Sequence, residues 1–271
     1  MKRLLHVSAS LMLLSAGLLA APAAHAQMST DLIFDNYSAT MGAVTSSAIN
    51  NNSLNSVLEE NSRANSGRSR AVGRTGANMG RGSNAGMARG TARGTSANSA
   101  ALSYTVTPAL KEQTLQRYVS QLKTSSPSTA EAVATYFGPG KPDYNAVYQN
   151  IVSGYGLRAN NPADVLAVYL TQGWMIVNDV DAKTITPGMM QGARNQFGPV
   201  LVSNAQMTPA LAARTGEDMK LQVAIVQVGW QGAIKGQKLP AFRQGVAALF
   251  KKQYGMDMTA FTLNSNGFTR K

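Results

Sequence analysis

Asn161-Pro162-Ala163-Asp164-Val165-Leu166-Ala167-Val168-Tyr169-Leu170, running on to Trp174-Met175-Ile176-Val177-Asn178, is the stretch that decides the fold. Asn161 offers a side-chain oxygen at a helix N-cap. Pro162 stands at N1, where a missing N–H costs nothing and φ is already set. From Val165 to Val177 the chain is apolar on nearly every face, which describes a helix surrounded by protein. At roughly 14 residues it is shorter than the ~20 needed to cross a bilayer.

The same start signal recurs at Thr107-Pro108, Thr186-Pro187 and Thr208-Pro209. Ser128-Thr129-Ala130-Glu131 after Pro127 reads as a capping box, and Asn161 with Asp164 as a variant of one. Stops fall at Gly138-Pro139-Gly140, at Gly154 to Gly156, and at Gly255 after a helix from Pro240. Residues 108–271 therefore predict an all-α fold, a compact multi-helix domain of about seven helices around the central apolar one. Its main partner is the helix holding Leu221, Val223, Ala224, Ile225, Val226, Val228 and Trp230. Residues 257–271 show only weak alternation, Phe261 and Leu263 against Met258, Ala260 and Thr262, and no element is assigned there.

Upstream the composition changes. Residues 61–107 hold Arg63, Arg68, Arg70, Arg74, Arg81, Arg89 and Arg93 among glycine, serine, asparagine and alanine, with no acid. A chain so poor in apolar groups cannot offset its ordering entropy, so a disordered basic linker is expected. In residues 27–60, Ile33, Tyr37, Met41 and Val44 fall near helical spacing, as do Leu54, Val57 and Leu58. Two short docking helices and a weakly ordered lead fit that pattern equally. Residues 1–26 have the three parts of a signal peptide: Lys2 and Arg3, an apolar stretch densest from Leu11 to Ala21, and Ala24-His25-Ala26 before Gln27. Cleavage after Ala26 and export to periplasm or medium are the expectation.

That cleavage would remove His6 and His25, the only histidines, and the chain has no cysteine. Ser-His-Asp and Cys-His catalysis, thiol redox chemistry and zinc on His or Cys are then excluded, and stability must come from packing without disulfides. No cofactor is expected. Loss of Lys2 and Arg3 leaves 23 basic against 13 acidic residues. Such an excess points to anionic partners.

Gly156-Leu157-Arg158, the stretch from Asn161 to Leu170, Trp174 and Asn178, together with Gly255-Met256-Asp257-Met258, Leu263 and Gly267-Phe268, resembles a family of exported bacterial proteins of unknown function. The resemblance covers about residues 108–271. It implies a domain boundary near residue 108 and brings no activity or catalytic residue.

The motifs within the domain have ordinary explanations. Ser120-Gln121-Leu122-Lys123 matches S-x-x-K, with Tyr148-Gln149-Asn150 as a second match, but Lys183-Thr184 runs into Ile185 and no sheet strand is expected to carry a third motif. Gly138-Pro139-Gly140-Lys141 lacks the spacing of a phosphate loop and reads as a turn. Glu112 fits a helical first turn and Glu131 the capping box. Glu217 beside Asp218 fits a helix start after Thr215-Gly216. Tyr136, Tyr144, Tyr148 and Tyr155 read as core packing with hydroxyls at the rim. Asn178, Asp179 and Asp181 lack calcium-loop spacing and read as a helix C-terminal turn.

The leading expectation is a non-enzymatic exported helical binding module, its seven arginines contacting anionic envelope lipids or polymers by charge and guanidinium stacking. A spacer without a ligand explains the same segment. Extracellular nucleic acid and an envelope protein are further candidate partners. Two other readings stay open: a helical cell-wall enzyme using a carboxylate, and a structural or secretion-accessory subunit docking through residues 28–60.

Overall fold

The computed structural model describes residues 51–72, 102–204 and 206–271, with side chains described in the first segment for residues 53–63. The expected signal peptide, Ile33 to Val44, and Arg74, Arg81, Arg89 and Arg93 lie outside the described residues.

Eight α-helices and one hairpin make up the described chain: α1 (Asn51–Val72), α2 (Pro108–Ser125), α3 (Pro127–Phe137), α4 (Tyr144–Val152), α5 (Pro162–Asn178), α6 (Pro187–Val202), α7 (Pro209–Lys235), α8 (Leu239–Tyr254), β1 (Phe261–Asn264) and β2 (Gly267–Arg270). Seven of the helices fall within residues 108–271, as the start and stop signals predict. All four acceptor–proline starts are used. Thr107, Thr186 and Thr208 accept from the N–H of Leu110, Met189 and Leu211, and Asn161 accepts from Ala163 and Asp164.

The fold is all-α around α5, which is buried from Pro162 to Ile176 and packs against α6, α7 and α8. An apolar helix surrounded on all sides must have partners on all sides. Gly173 admits α8, since a Cβ there would lie 2.2 Å from the Phe250 ring.

One expected capping box is replaced and the other is half formed. α3 begins two residues earlier, at Ser126-Pro127, because this acceptor–proline pair repeats the start signal; the Ser126 hydroxyl bonds Thr129 Oγ1 at 2.7 Å. Asn161 accepts the Asp164 N–H at 3.4 Å, the N-cap half of the expected box, while the Asp164 carboxylate turns to other partners. That carboxylate accepts the N–H of Arg158 at 2.7 Å and the Arg194 Nε–H at 2.6 Å, an ion pair buried against α6.

The C-terminal residues form the antiparallel hairpin, with Leu263 opposite Phe268. A lone two-stranded sheet is marginal in water and leaves unpaired edges. Here side chains satisfy them. Gln196 of α6 accepts from the Phe268 N–H at 2.7 Å and donates to its carbonyl at 3.0 Å. Asn61 of α1 donates to the same carbonyl at 2.8 Å, and Ser62 Oγ accepts from the Arg270 N–H at 2.9 Å. On the other edge, the Trp174 indole donates to the Phe261 carbonyl at 2.9 Å.

The basic segment differs from the linker expected over 61–107 at both ends. α1 crosses residue 60 and carries the backbone of Arg63, Arg68 and Arg70 in helical conformation. The reason lies upstream. Leu54 and Leu58 are fully buried in the common core, and Asn55 donates to the Tyr254 carbonyl at 3.2 Å. The helix so anchored propagates at little further cost, and no glycine interrupts it before Gly67. At the far end Ser103 and Tyr104 are docked, the Tyr104 N–H bonding the Asn160 carbonyl at 3.0 Å.

Candidate functional site

A polar cluster lies where α4 and α7 meet beneath the segment holding Tyr104. Its centre is Glu217 and Lys220, one turn apart on α7, both with no exposed side-chain surface. Ionised groups are rarely buried unless paired and fully bonded, and this pair meets both conditions. Lys220 Nζ contacts Glu217 Oε1 and donates to Asn145 Oδ1 at 2.6 Å and Asn160 Oδ1 at 2.9 Å. Glu217 accepts from the Tyr104 hydroxyl at 2.7 Å, the Tyr144 hydroxyl at 2.7 Å and Asn145 Nδ2 at 2.9 Å. The Lys220 ammonium also sits 5.3 Å from the Tyr104 ring centre and 5.9 Å from that of Tyr148, a cation–π arrangement.

Local structure fixes each partner. Asp143 caps α4 and accepts the Asn145 N–H at 2.9 Å, which fixes the first turn that carries Asn145. Tyr104 lies over Gly216. Tyr144 and Tyr148 share the buried face of α4, as their spacing predicts, but the Tyr144 hydroxyl is committed to Glu217 rather than to a solvent rim.

Burial pushes the Glu217 carboxyl up, and the Lys220 charge with bonds from Lys220, Asn145 and Tyr144 more than offsets it, holding the group below the usual carboxylate range. Burial pulls Lys220 down, partly opposed by Glu217. The Tyr104 and Tyr144 phenols are raised by burial and by the adjacent carboxylate.

Asp218, the next residue, faces α2. Arg117 contacts its Oδ1 and Arg214 Nε lies 3.7 Å from its Oδ2. Burial nevertheless pushes its carboxyl up to about 6.

Of the glutamates singled out from sequence, Glu112 accepts from Gln116 at 2.9 Å on the surface of α2, and Glu131 is exposed on α3. Glu217 is not at a helix start. α7 begins at Thr208-Pro209, so Glu217 sits in its third turn and is internal. Asn145, Lys220 and Tyr104 stand in no motif that marks them from the sequence. The signal for the cluster is a Glu–Lys pair at i, i+3 leading directly into the apolar run from Leu221.

The remaining motifs take their ordinary roles. Ser120 and Lys123 are exposed. Gly138 and Lys141 close a turn. Asp179 is the left-handed C-cap of α5, Asp181 caps a short 3-10 turn, and Asn178 donates to the Met258 carbonyl at 3.0 Å. Among the described residues no cluster of three or more acids has the arrangement of a metal site, and no helix is long and apolar enough to cross a membrane. Arg63 is exposed and pairs with Glu59 at 3.5 Å. No protein-family description, curated protein or solved structure matches the chain.

Proposed function

We propose that the chain is an exported, non-enzymatic helical binding module whose arginine-rich segment engages anionic envelope lipids or polymers. One observation carries this reading: the described acids that are buried are each matched internally, while bases remain at the surface. Asp164, Glu217 and Asp218 are held by Arg158 and Arg194, by Lys220, and by Arg117 and Arg214. Lys123, Lys141, Lys183 and Lys235 are exposed, and seven further arginines lie between residues 63 and 93. A surface so biased raises the local concentration of phosphate-bearing partners.

A cell-wall hydrolase would need a carboxylic acid with a raised proton affinity facing its substrate. Glu217 has neither property, and Asp218, though pushed up to about 6, is buried against Arg117 and Arg214, which favours the binding reading over the enzymatic one.

The test is sedimentation with vesicles of anionic and of zwitterionic lipid across a salt series. The full chain should bind only the anionic vesicles, with affinity falling steeply as salt rises, because each neutralised phosphate releases counterions. Changing the seven arginines to glutamine should abolish binding and leave the helical circular dichroism intact. Binding that is insensitive to salt, or that the glutamine variant retains, overturns the reading.

A further inference from the structure

We propose that Lys220 and Asn145 join in an intramolecular isopeptide bond, formed by the folded chain itself with Glu217 as the proton-transfer group. The reactants are already assembled. The Lys220 nitrogen lies 2.6 Å from the Asn145 carbonyl oxygen, and the Asn145 amide nitrogen lies 2.9 Å from Glu217 Oε2. The other carboxylate oxygen contacts Lys220 Nζ. Amine, carboxamide and carboxylate thus form one closed triangle, each in contact with the other two. The carboxamide orientation is dictated by its neighbours, since an ammonium is only a donor and a carboxylate only an acceptor. Asn160 also accepts from Lys220, but among its described contacts none reaches Glu217, so it positions the amine without offering a leaving group.

The surroundings favour the reaction. Amides resist amines in water because the amine is protonated and ammonia is a poor leaving group. In this cluster Lys220 and Glu217 are shut from solvent by Tyr104, Tyr144 and Tyr148, and burial lowers the proton affinity of the ammonium. Lys220 and three donors hold the Glu217 carboxyl low at rest, but its direct contact with Nζ lets it take a proton transiently as the amine attacks. Fixing nucleophile and acyl group in contact removes the entropic part of the barrier.

The step balances without a co-reactant. Lys220 gives one of its three Nζ protons to Glu217, and the freed lone pair attacks Asn145 Cγ. A second proton passes to Nδ2, relayed by Glu217, as the Cγ–Nδ2 bond breaks with its electron pair on nitrogen. Ammonia leaves, the new amide keeps the third proton, and Glu217 ends protonated. A chain without cysteine would thereby gain a covalent tie between α4 and α7.

Mass spectrometry of the full-length folded chain decides the matter. Loss of one ammonia from the intact mass is expected, but cyclisation of a terminal Gln27 would give the same loss, so the linked peptide is the decisive species. Trypsin should release residues 124–158 joined to residues 215–235, because Lys141 precedes Pro142 and acylated Lys220 is no longer a cleavage site. Lys220→Arg keeps the charge and should abolish the linked species. Glu217→Gln, checked for folding by circular dichroism, should slow linkage by about a hundredfold or more, the usual worth of a positioned proton carrier. Full recovery of separate peptides 215–220 and 221–235 from the folded wild-type chain, with no linked species, overturns the proposal.

Discussion

The ring of Tyr104 occupies the space that a side chain on Gly216 would fill: a Cβ there would fall 2.5 Å from both the ring and its hydroxyl. That fit brings the hydroxyl to Glu217 and ties the segment before α2 to the middle of α7. Gly216→Ala should therefore destabilise the domain by overpacking, about 1–3 kcal/mol, against a helix-propensity gain for alanine of about 1 kcal/mol. Tyr104→Phe removes only the bond to Glu217 and should cost about 1–3 kcal/mol, the range for a charge-assisted bond and its desolvated partner. Chemical denaturation measures both. A stabilised Gly216→Ala variant would show that Tyr104 does not pack there.

The second prediction concerns the clasp on the hairpin. Gln196→Ala leaves the Phe268 N–H without its partner, and the carbonyl keeps only Asn61. An unpaired buried amide costs about 1–3 kcal/mol. Amide hydrogen exchange should accelerate at Phe268 before it does in α5. Unchanged protection at Phe268 would mean that the strand edge is satisfied in another way.

Third, α1 is held by packing rather than by its connection. Trypsin acting after Arg81, Arg89 or Arg93 should cut the chain without releasing α1, since Leu54, Leu58, Asn61 and Ser62 stay engaged. The two pieces should co-elute on gel filtration and separate in denaturant. Leu58→Ala, at a cost of about 2–5 kcal/mol, should let the α1 piece go. Dissociation of the nicked wild-type protein would contradict the docking.

Fourth, the two neighbouring acids of α7 respond to pH with opposite signs. Asp218 is raised from 3.8 to about 6, first by burial. The folded state therefore binds its proton more readily than the unfolded chain, and its contribution to stability declines as pH rises from 3.8 to about 6. Glu217 is held below 4.5, so its contribution is complete above that value and lost as pH falls. Between pH 4.5 and about 6 the slope belongs to Asp218 rather than Glu217. Urea titrations across that window should show a flatter pH dependence for Asp218→Asn than for wild type; parallel curves would remove Asp218 as the cause.

What the sequence made legible was local. The acceptor–proline pairs mark helix starts by chemistry within three residues, and α5 declares its burial by its own composition. The hairpin was illegible because the groups that complete its edges, Asn61, Trp174 and Gln196, are remote in the chain. α1 was legible only in Leu54, Val57 and Leu58; nothing in the arginine and glycine that follow reports the anchor. The Glu217 cluster was obscured because Thr215-Gly216 imitates a helix start. Gly216 is there to admit Tyr104, a contact 112 residues away that no local pattern records.

Because α1 docks on the hairpin and Tyr104 docks on α7, residues 73–101 are fastened at both ends. A tail can thread, wrap or search to its full contour length. A loop returns to its origin, so its farthest point is limited to half the contour, about 50 Å for a stretch of this size at ~3.5 Å per residue. An anionic surface met by Arg74, Arg81, Arg89 and Arg93 would then lie within that reach of the folded domain. One cut between the two anchors would turn a short double-ended tether into two free ends.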